Sequence, residues 1–261
     1  MSLHCSTKYA ATLLLGTIAA AAAPNPNILF IAVDDLRPSI GCYGDKVAVT
    51  PNLDRLAKRG VRFGQAHCQV AVCNPSRASL MTGLRPDTLG VWTLPIHFRE
   101  AKPEAMTLPQ WLRRHGYTAV SHGKIYHNPT PDPQSWSEPI RRVPAQQGYP
   151  RSVAAQIRAA QAKLPSQDWR KNNLRGPGSF ATNVDGNKLV DGVNTSLTIG
   201  DLRRLGKTKQ PFFVAMGFIR PHLPWIAPKK YWDLYDPKKL PVITDGKVNA
   251  NTPPYALSNS Y

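Results

Sequence analysis

The sequence predicts an α/β fold, a mostly parallel central sheet flanked by helices. Three apolar runs carry that reading: Asn27 to Val33, Tyr117 to Ser121 and Pro211 to Met216. Each is followed by polar residues, and helix signals alternate with the runs, as parallel βα units require. Composition agrees. The chain has 261 residues and 42% apolar side chains, enough for a core, and four Cys are too few for a disulfide scaffold. Lys and Arg number 33 against 16 Asp and Glu, a net charge of +17 that calls for an anionic partner. Charge does not choose among nucleic acid, anionic membrane and acidic polysaccharide.

The elements follow in chain order. Lys8 precedes a weakly apolar run, Ala10 to Ala23, that ends in small residues before Pro24. Residues 1–23 therefore read as a secretory signal peptide, with export to the periplasm or medium expected. The run is too short to span a bilayer well, so no stable membrane span is expected. The unbroken run at 27–33 reads as a parallel strand buried on both faces. Thr50-Pro51 opens a helix that Gly60 ends, and Val61-Arg62-Phe63 resumes extended structure. Asn74-Pro75-Ser76 opens a second helix, stopped at Thr82-Gly83. Thr107-Leu108-Pro109 opens a third, ended by Gly116. From Ile140 to Asn183 eight basic residues face one acid, Asp168, and one helix is expected at 152–164. This stretch reads as a surface insertion that either steers an anionic substrate or is a solvated basic face. Pro241 to Tyr261 carries no closing strand, so the chain is expected to be the N-terminal part, 24–261, of a catalytic domain cut within its sheet.

Two features carry chemistry. Asp34-Asp35 stand at the carboxyl end of the first strand, where open α/β sheets place ligands. Adjacent carboxylates suit a hard divalent cation, though a turn or helix-cap pair has the same sequence. Cys73-Asn74-Pro75-Ser76-Arg77 puts a thiol at a helix N-terminus, where amides and dipole favour an anion, with Arg77 one turn along the same face. A buried structural Cys, or a disulfide with Cys68, is the alternative reading.

Cys73-x-Pro75-Ser76-Arg77 followed by Thr82-Gly83 resembles the first signature of the type I sulfatases. Gly116-Tyr117 with Gly123-Lys124 resembles the second, and Asn27 to Asp35 the metal-binding first strand. Asp34-Asp35-Leu36-Arg37-Pro38, Gly123-Lys124-Ile125-Tyr126-His127 and Pro221-His222-Leu223-Pro224 are similar to the iduronate-2-sulfatase branch and its bacterial relatives.

The resemblance implies an alkaline-phosphatase-like core and hydrolysis of sulfate esters on a sulfated sugar. It implies that Cys73 is oxidised to formylglycine by a formylglycine-generating enzyme. The hydrated aldehyde attacks sulfur and later expels sulfate, with a divalent cation, Ca²⁺ in this family, as Lewis acid. Asp34, Asp35 and modified Cys73 carry over as metal ligands. Arg77 and Lys124 carry over as charge-balancing cations, His127 as a group on the diol and His222 as proton donor to the leaving alcohol. His67 and His122 match nothing in the family pattern. Two departures stand: no later Asp–His or Asp–Asn metal pair or further Lys follows, so this chain is expected to hydrolyse sulfate esters poorly or not at all, and Ala119 replaces a usual Thr or Ser. An exported protein that binds sulfated polysaccharide without turnover is the rival reading. A nucleic-acid binder has only the charge in its favour, and a phosphate-ester hydrolase would carry Ser or Thr at position 73.

Overall fold

In a computed structural model, residues 25–146, 148–168, 174, 176–241 and 251–253 are described. The expected signal peptide lies outside them, as do Arg170, Lys171, Arg175 and most of the last twenty residues.

Three strands form the central sheet: β1 (Ile28–Val33), β2 (Thr118–Gly123) and β4 (Phe212–Phe218), in the order β1-β4-β2 and all parallel. The last strand in sequence is the middle one in space. Its run Phe212 to Gly217 is buried throughout, as a continuous apolar segment in a parallel sheet should be. One face of the sheet packs Phe213, Ala215 and Ala119 against Ala78 and Met81 of α2 (Cys73–Thr82), Leu112 of α3 (Leu108–Arg114), and Trp136. Burying a side chain the size of Phe213 or Met81 contributes about 1.5–3 kcal/mol. The other face packs Val120, Phe212 and Val214 against Leu202 and Leu205 of α5 (Val190–Leu205).

Strand β1 departs from expectation. Ile28, Phe30 and Ala32 pack on the core, but Leu29 and Ile31 are 46% and 51% exposed. Strand β1 is an edge strand, paired only with β4, and the described residues cover its second face only about halfway.

The helices keep to their signals. Helix α1 (Pro51–Ala57) carries Pro at its first position and buries no residue. Thr50 makes no capping bond; its hydroxyl accepts from Gly41 N and donates to Asp54. Val61 to Phe63 form no strand. Helix α2 ends at Gly83, whose φ of 71° is the left-handed conformation that favours glycine. Helix α3 is capped by Thr107, which accepts from Gln110 N while the Gln110 side chain accepts from Thr107 N. The basic stretch holds the expected helix, α4 (Arg151–Ala162), with no buried residue. It is also tied into a second sheet, where β3 (Ser179–Thr182) pairs in parallel with β5 (Trp225–Pro228). Helix α5 had no forecast, because its polar run Val190-Asp191-Gly192-Val193-Asn194 masks a single Leu202/Leu205 stripe.

Candidate active site

Register brings the site together. Ala32 pairs with Gly217 and Gly217 with Gly123, so the carboxyl ends of the three strands lie level. The next turns then carry Asp34 and Lys124 to one end of the sheet. Asp34 N donates to Phe218 O at 3.1 Å, and Lys124 N donates to Gly217 O at 2.8 Å. This closeness needs the glycines. A Cβ on Gly217 would lie 1.9 Å from Lys124 O, and one on Gly123, whose φ is 71°, would lie 2.1 Å from Gly217 O.

Asp34 is the centre. It is 4% exposed, and its two oxygens accept from different cations: Oδ1 from Arg77 Nη2 at 2.6 Å, Oδ2 from Lys124 Nζ. Burial raises its pKa, but the hydrogen bonds from Lys124 and Arg77 and their charges outweigh that and hold it below the ordinary carboxylate value. It is therefore ionised at neutral pH. Cys73, the first residue of α2, holds Sγ 3.9 Å from Asp34 Oδ1 and 3.6 Å from Lys124 Nζ. It is a free thiol, as is exposed Cys68, so the disulfide alternative does not form. Arg77 is 6% exposed; besides Asp34 it donates to Lys124 O at 2.5 Å and Ile125 O at 2.9 Å. Its geometry is that of a clamp joining α2 to the end of β2.

His222 lies on the loop after β4. Its Nδ1 is 2.7 Å from Leu223 O, and because a carbonyl only accepts, Nδ1 carries a proton and Nε2 is the ring atom turned toward Asp35. Asp34, Cys73 and His222 each place a donor atom within 4.8 Å of the others. Asp35 does not join that group. Its φ of 54° turns the chain sharply, leaving the side chain 54% exposed, with Oδ2 3.9 Å from His222 Nε2. His127 Nδ1 is buried without a partner among the described residues. Burial, then the positive charges of Lys124 and Arg77, hold its pKa below the ordinary imidazole value, so it is neutral at pH 7. All seven sequence-nominated residues thus belong to one end of the sheet, with Asp35 at its rim.

Sequence reasoning missed the residues that hold this end in place. Asp191, in the first turn of α5, accepts from Ile219 N and Arg220 N, both at 2.9 Å, and so anchors the His222 loop. After His127, Arg99 donates to Asp132 at 2.7 and 2.8 Å, Ser135 donates to Asp132 at 2.5 Å, and Tyr126 meets Ser135 at 2.7 Å. His122 proved no ordinary residue either: it is 1% exposed, with Nε2 2.7 Å from Asp201. Its only sequence signal was a polar residue inside an apolar strand.

A cation would find suitable donors here. Asp34 is ionised and buried, and Asp35 adds a second carboxylate near His222, the hard oxygens that Ca²⁺ or Mg²⁺ prefers. The thiol of Cys73 is the soft member of the set, and an oxygen at that position would remove the mismatch.

The chain is 36% identical over 239 residues to the iduronate 2-sulfatase of Mus musculus, covering 89% of this chain and 41% of the relative. It is 34% identical over 248 residues to a sulfatase of Formosa agariphila, covering 88% and 44%. It thus spans less than half the length of these curated relatives. In structure it is similar to the phosphonate monoester hydrolase of Agrobacterium radiobacter, with a TM-score of 0.57, 23% identity, and coverage of 84% of this chain and 45% of that one. The fold is accordingly the alkaline-phosphatase-like core that the family resemblance implied. A family model for sulfatases matches residues 26–245, and the chain, with its thiol, carboxylates and cations gathered at one sheet end, belongs to the sulfatase family.

Proposed function

We propose that this chain carries the nucleophile-bearing part of an exported sulfatase that removes sulfate from a sulfated sugar or polysaccharide. The observation that carries this is the placement of Cys73 Sγ 3.6 Å from Lys124 Nζ and 3.9 Å from ionised Asp34, at the start of α2. With Cys73 converted to formylglycine and a divalent cation such as Ca²⁺ held by Asp34, Asp35 and position 73, the site would gain a hydrated aldehyde as nucleophile and a Lewis acid for the sulfate.

The chain's own residues account for the rest. Lys124 and the α2 amides place positive charge where an anionic ester must sit, and such preorganised contacts are each worth about 10²–10³ in rate. Neutral His127, half-buried near Lys124, is available to accept a proton from the group at position 73. His222 can hand a proton to a departing alcohol once protonated at Nε2, since Nδ1 stays on Leu223 O. Arg77 holds Asp34 and the 124–125 backbone in register. Its role is positioning.

Formylglycine-generating enzyme is the maturation partner this reading requires, and sulfated carbohydrate the substrate. No helix among the described residues is long and apolar enough to cross a membrane. The test is co-expression with a formylglycine-generating enzyme, the mass of the peptide bearing position 73, and an aryl-sulfate assay with added Ca²⁺. Formylglycine at position 73 is expected, and Cys73→Ala is expected to abolish whatever turnover the chain shows. Unmodified Cys with binding of sulfated polysaccharide and no turnover would replace this reading with the non-catalytic one.

A further inference from the structure

Three donor atoms of unlike chemistry meet at the end of the sheet. Cys73 Sγ, a carboxylate oxygen of Asp34 and a ring nitrogen of His222 all lie within 4.8 Å of one another. They come from three separate elements: the start of α2, the turn after β1 and the loop after β4. His222 Nδ1 is committed to Leu223 O, which leaves Nε2 facing the site, 3.9 Å from Asp35 Oδ2. A carbonyl on the far nitrogen is how proteins commonly orient a histidine ligand. Asp34 Oδ1 lies 3.9 Å from Sγ. Each carboxylate oxygen has two lone pairs, so Asp34 can serve a metal without releasing Arg77 or Lys124.

The donor set selects the metal. Ca²⁺ and Mg²⁺ take oxygen ligands, whereas thiolate, imidazole and carboxylate together are the ligands of Zn²⁺. Tetrahedral bonds of about 2.0–2.3 Å put ligand atoms about 3.3–3.6 Å apart. The 3.9 Å between Sγ and Asp34 Oδ1 therefore needs to close only slightly. Asp35 Oδ2, equally far from His222 Nε2, is placed to be a fourth ligand. The Lys124 ammonium, 3.6 Å from Sγ, would remain outside the metal's own ligands as a donor to the sulfur. His222 and Asp35 are 40% and 54% exposed at the side chain, so an ion has a path in from solvent.

We infer that, while Cys73 is unconverted, this end of the sheet is a Zn²⁺ site, with Cys73 Sγ, His222 Nε2, Asp34 and Asp35 as ligands. Zn²⁺ takes the place of the thiol proton, which leaves to solvent, and no oxidation state changes. An oxygen donor at position 73 removes the sulfur ligand and with it the preference for Zn²⁺ over Ca²⁺. The inference goes beyond the sulfatase reading: it concerns the thiol form, and holds whether or not that form matures.

The experiment uses the untagged full chain, expressed without a formylglycine-generating enzyme, reduced and stripped of metal. Titration with Co²⁺ is expected to give a thiolate-to-metal charge-transfer band and the strong visible bands of a four-coordinate ion. Stoichiometric Zn²⁺ is expected to remove them. Competition with a chromophoric chelator is expected to give a Zn²⁺ dissociation constant of about 1 μM or tighter, with no displacement by millimolar Ca²⁺. Cys73→Ser is expected to abolish the charge-transfer band. Both it and His222→Ala should weaken Zn²⁺ binding about 100-fold or more, since changes around the ligands alone cost about 10–100-fold. Cys5→Ser, Cys42→Ser and Cys68→Ser are expected to leave both readouts unchanged. Zn²⁺ is expected to raise the thermal unfolding temperature of the unvaried chain and not that of Cys73→Ser. A Co²⁺ complex without the thiolate band, which needs no variant to observe, overturns the site. So does Zn²⁺ binding that is absent, or that survives Cys73→Ser or His222→Ala. Sulfate-ester turnover is read on separately matured protein, so failure of the Zn²⁺ site leaves the sulfatase reading standing, and failed turnover leaves the Zn²⁺ site.

Discussion

Two buried aspartates, Asp34 and Asp201, each hold two basic side chains, and they make opposite use of the arrangement. At Asp34 both cations are buried, Arg77 and Lys124 being 7% and 8% exposed at the side chain, and a thiol and two imidazoles gather round. At Asp201 the two arginines, Arg141 and Arg204, are 45% and 49% exposed, and the third partner is buried His122. Burial lowers the pKa of His122 more than Asp201 raises it, so that imidazole is neutral. The Asp201 cluster therefore ties α5 and the 138–141 segment to the back of β2 with cations that remain hydrated. The Asp34 cluster buries its charges instead, an outlay repaid only where the charges have chemistry to do. Desolvation of the cations, not the number of ion pairs, distinguishes a site from a brace.

The largest expected effect tests that distinction. Asp34→Ala strands two buried cations and is expected to destabilise the fold by about 3–5 kcal/mol, read from the denaturant midpoint at constant m. Asp201→Ala comes next, at about 1–3 kcal/mol, because its arginines can turn to water and only His122 is left with a buried unpaired nitrogen. Equal losses for the two variants would erase the contrast. The smallest effect concerns the imidazoles beside each cluster. His122 and His127 bind protons less readily folded than unfolded, so the unfolded chain takes up more protons as pH falls through about 6.5. Their contribution to stability is full above that pH and declines below it. Denaturant midpoints at about pH 7.5 and about pH 5.5, either side of the ordinary imidazole value, should show the lower stability at the acidic point. A flat profile would mean that neither imidazole is held neutral by burial. The depressed Asp34 and Asp201 values add a further loss, beginning as pH nears the ordinary carboxylate value of about 4.

Much of this was legible beforehand. The strands at 27–33, 117–121 and 211–216 showed as apolar runs, the second one extending two residues further to Gly123. Helices α2 and α3 were bounded by Gly, Pro and a capping Thr. All seven candidate residues stood within or shortly after such elements, and the structure brings them to one end of the sheet. What stayed hidden was relational. Asp191 is an ordinary acid in a weakly patterned helix until the His222 loop folds onto it. His122 is one polar letter in a strand until Asp201, 79 residues away, meets it.

The sequence by itself determined which segments are strands and helices, because periodicity, caps and turn residues act over a few neighbours. It also nominated the candidate site, since a Cys at a helix start with Arg one turn on is a local pattern. Tertiary structure alone decided that β4 lies between β1 and β2, that Leu29 and Ile31 stay half-exposed on an edge strand, and that Asp35 stays at the rim while Asp34 is sealed in. Strand order and desolvation depend on contacts between residues far apart in the chain, and local patterns do not encode which distant partner arrives.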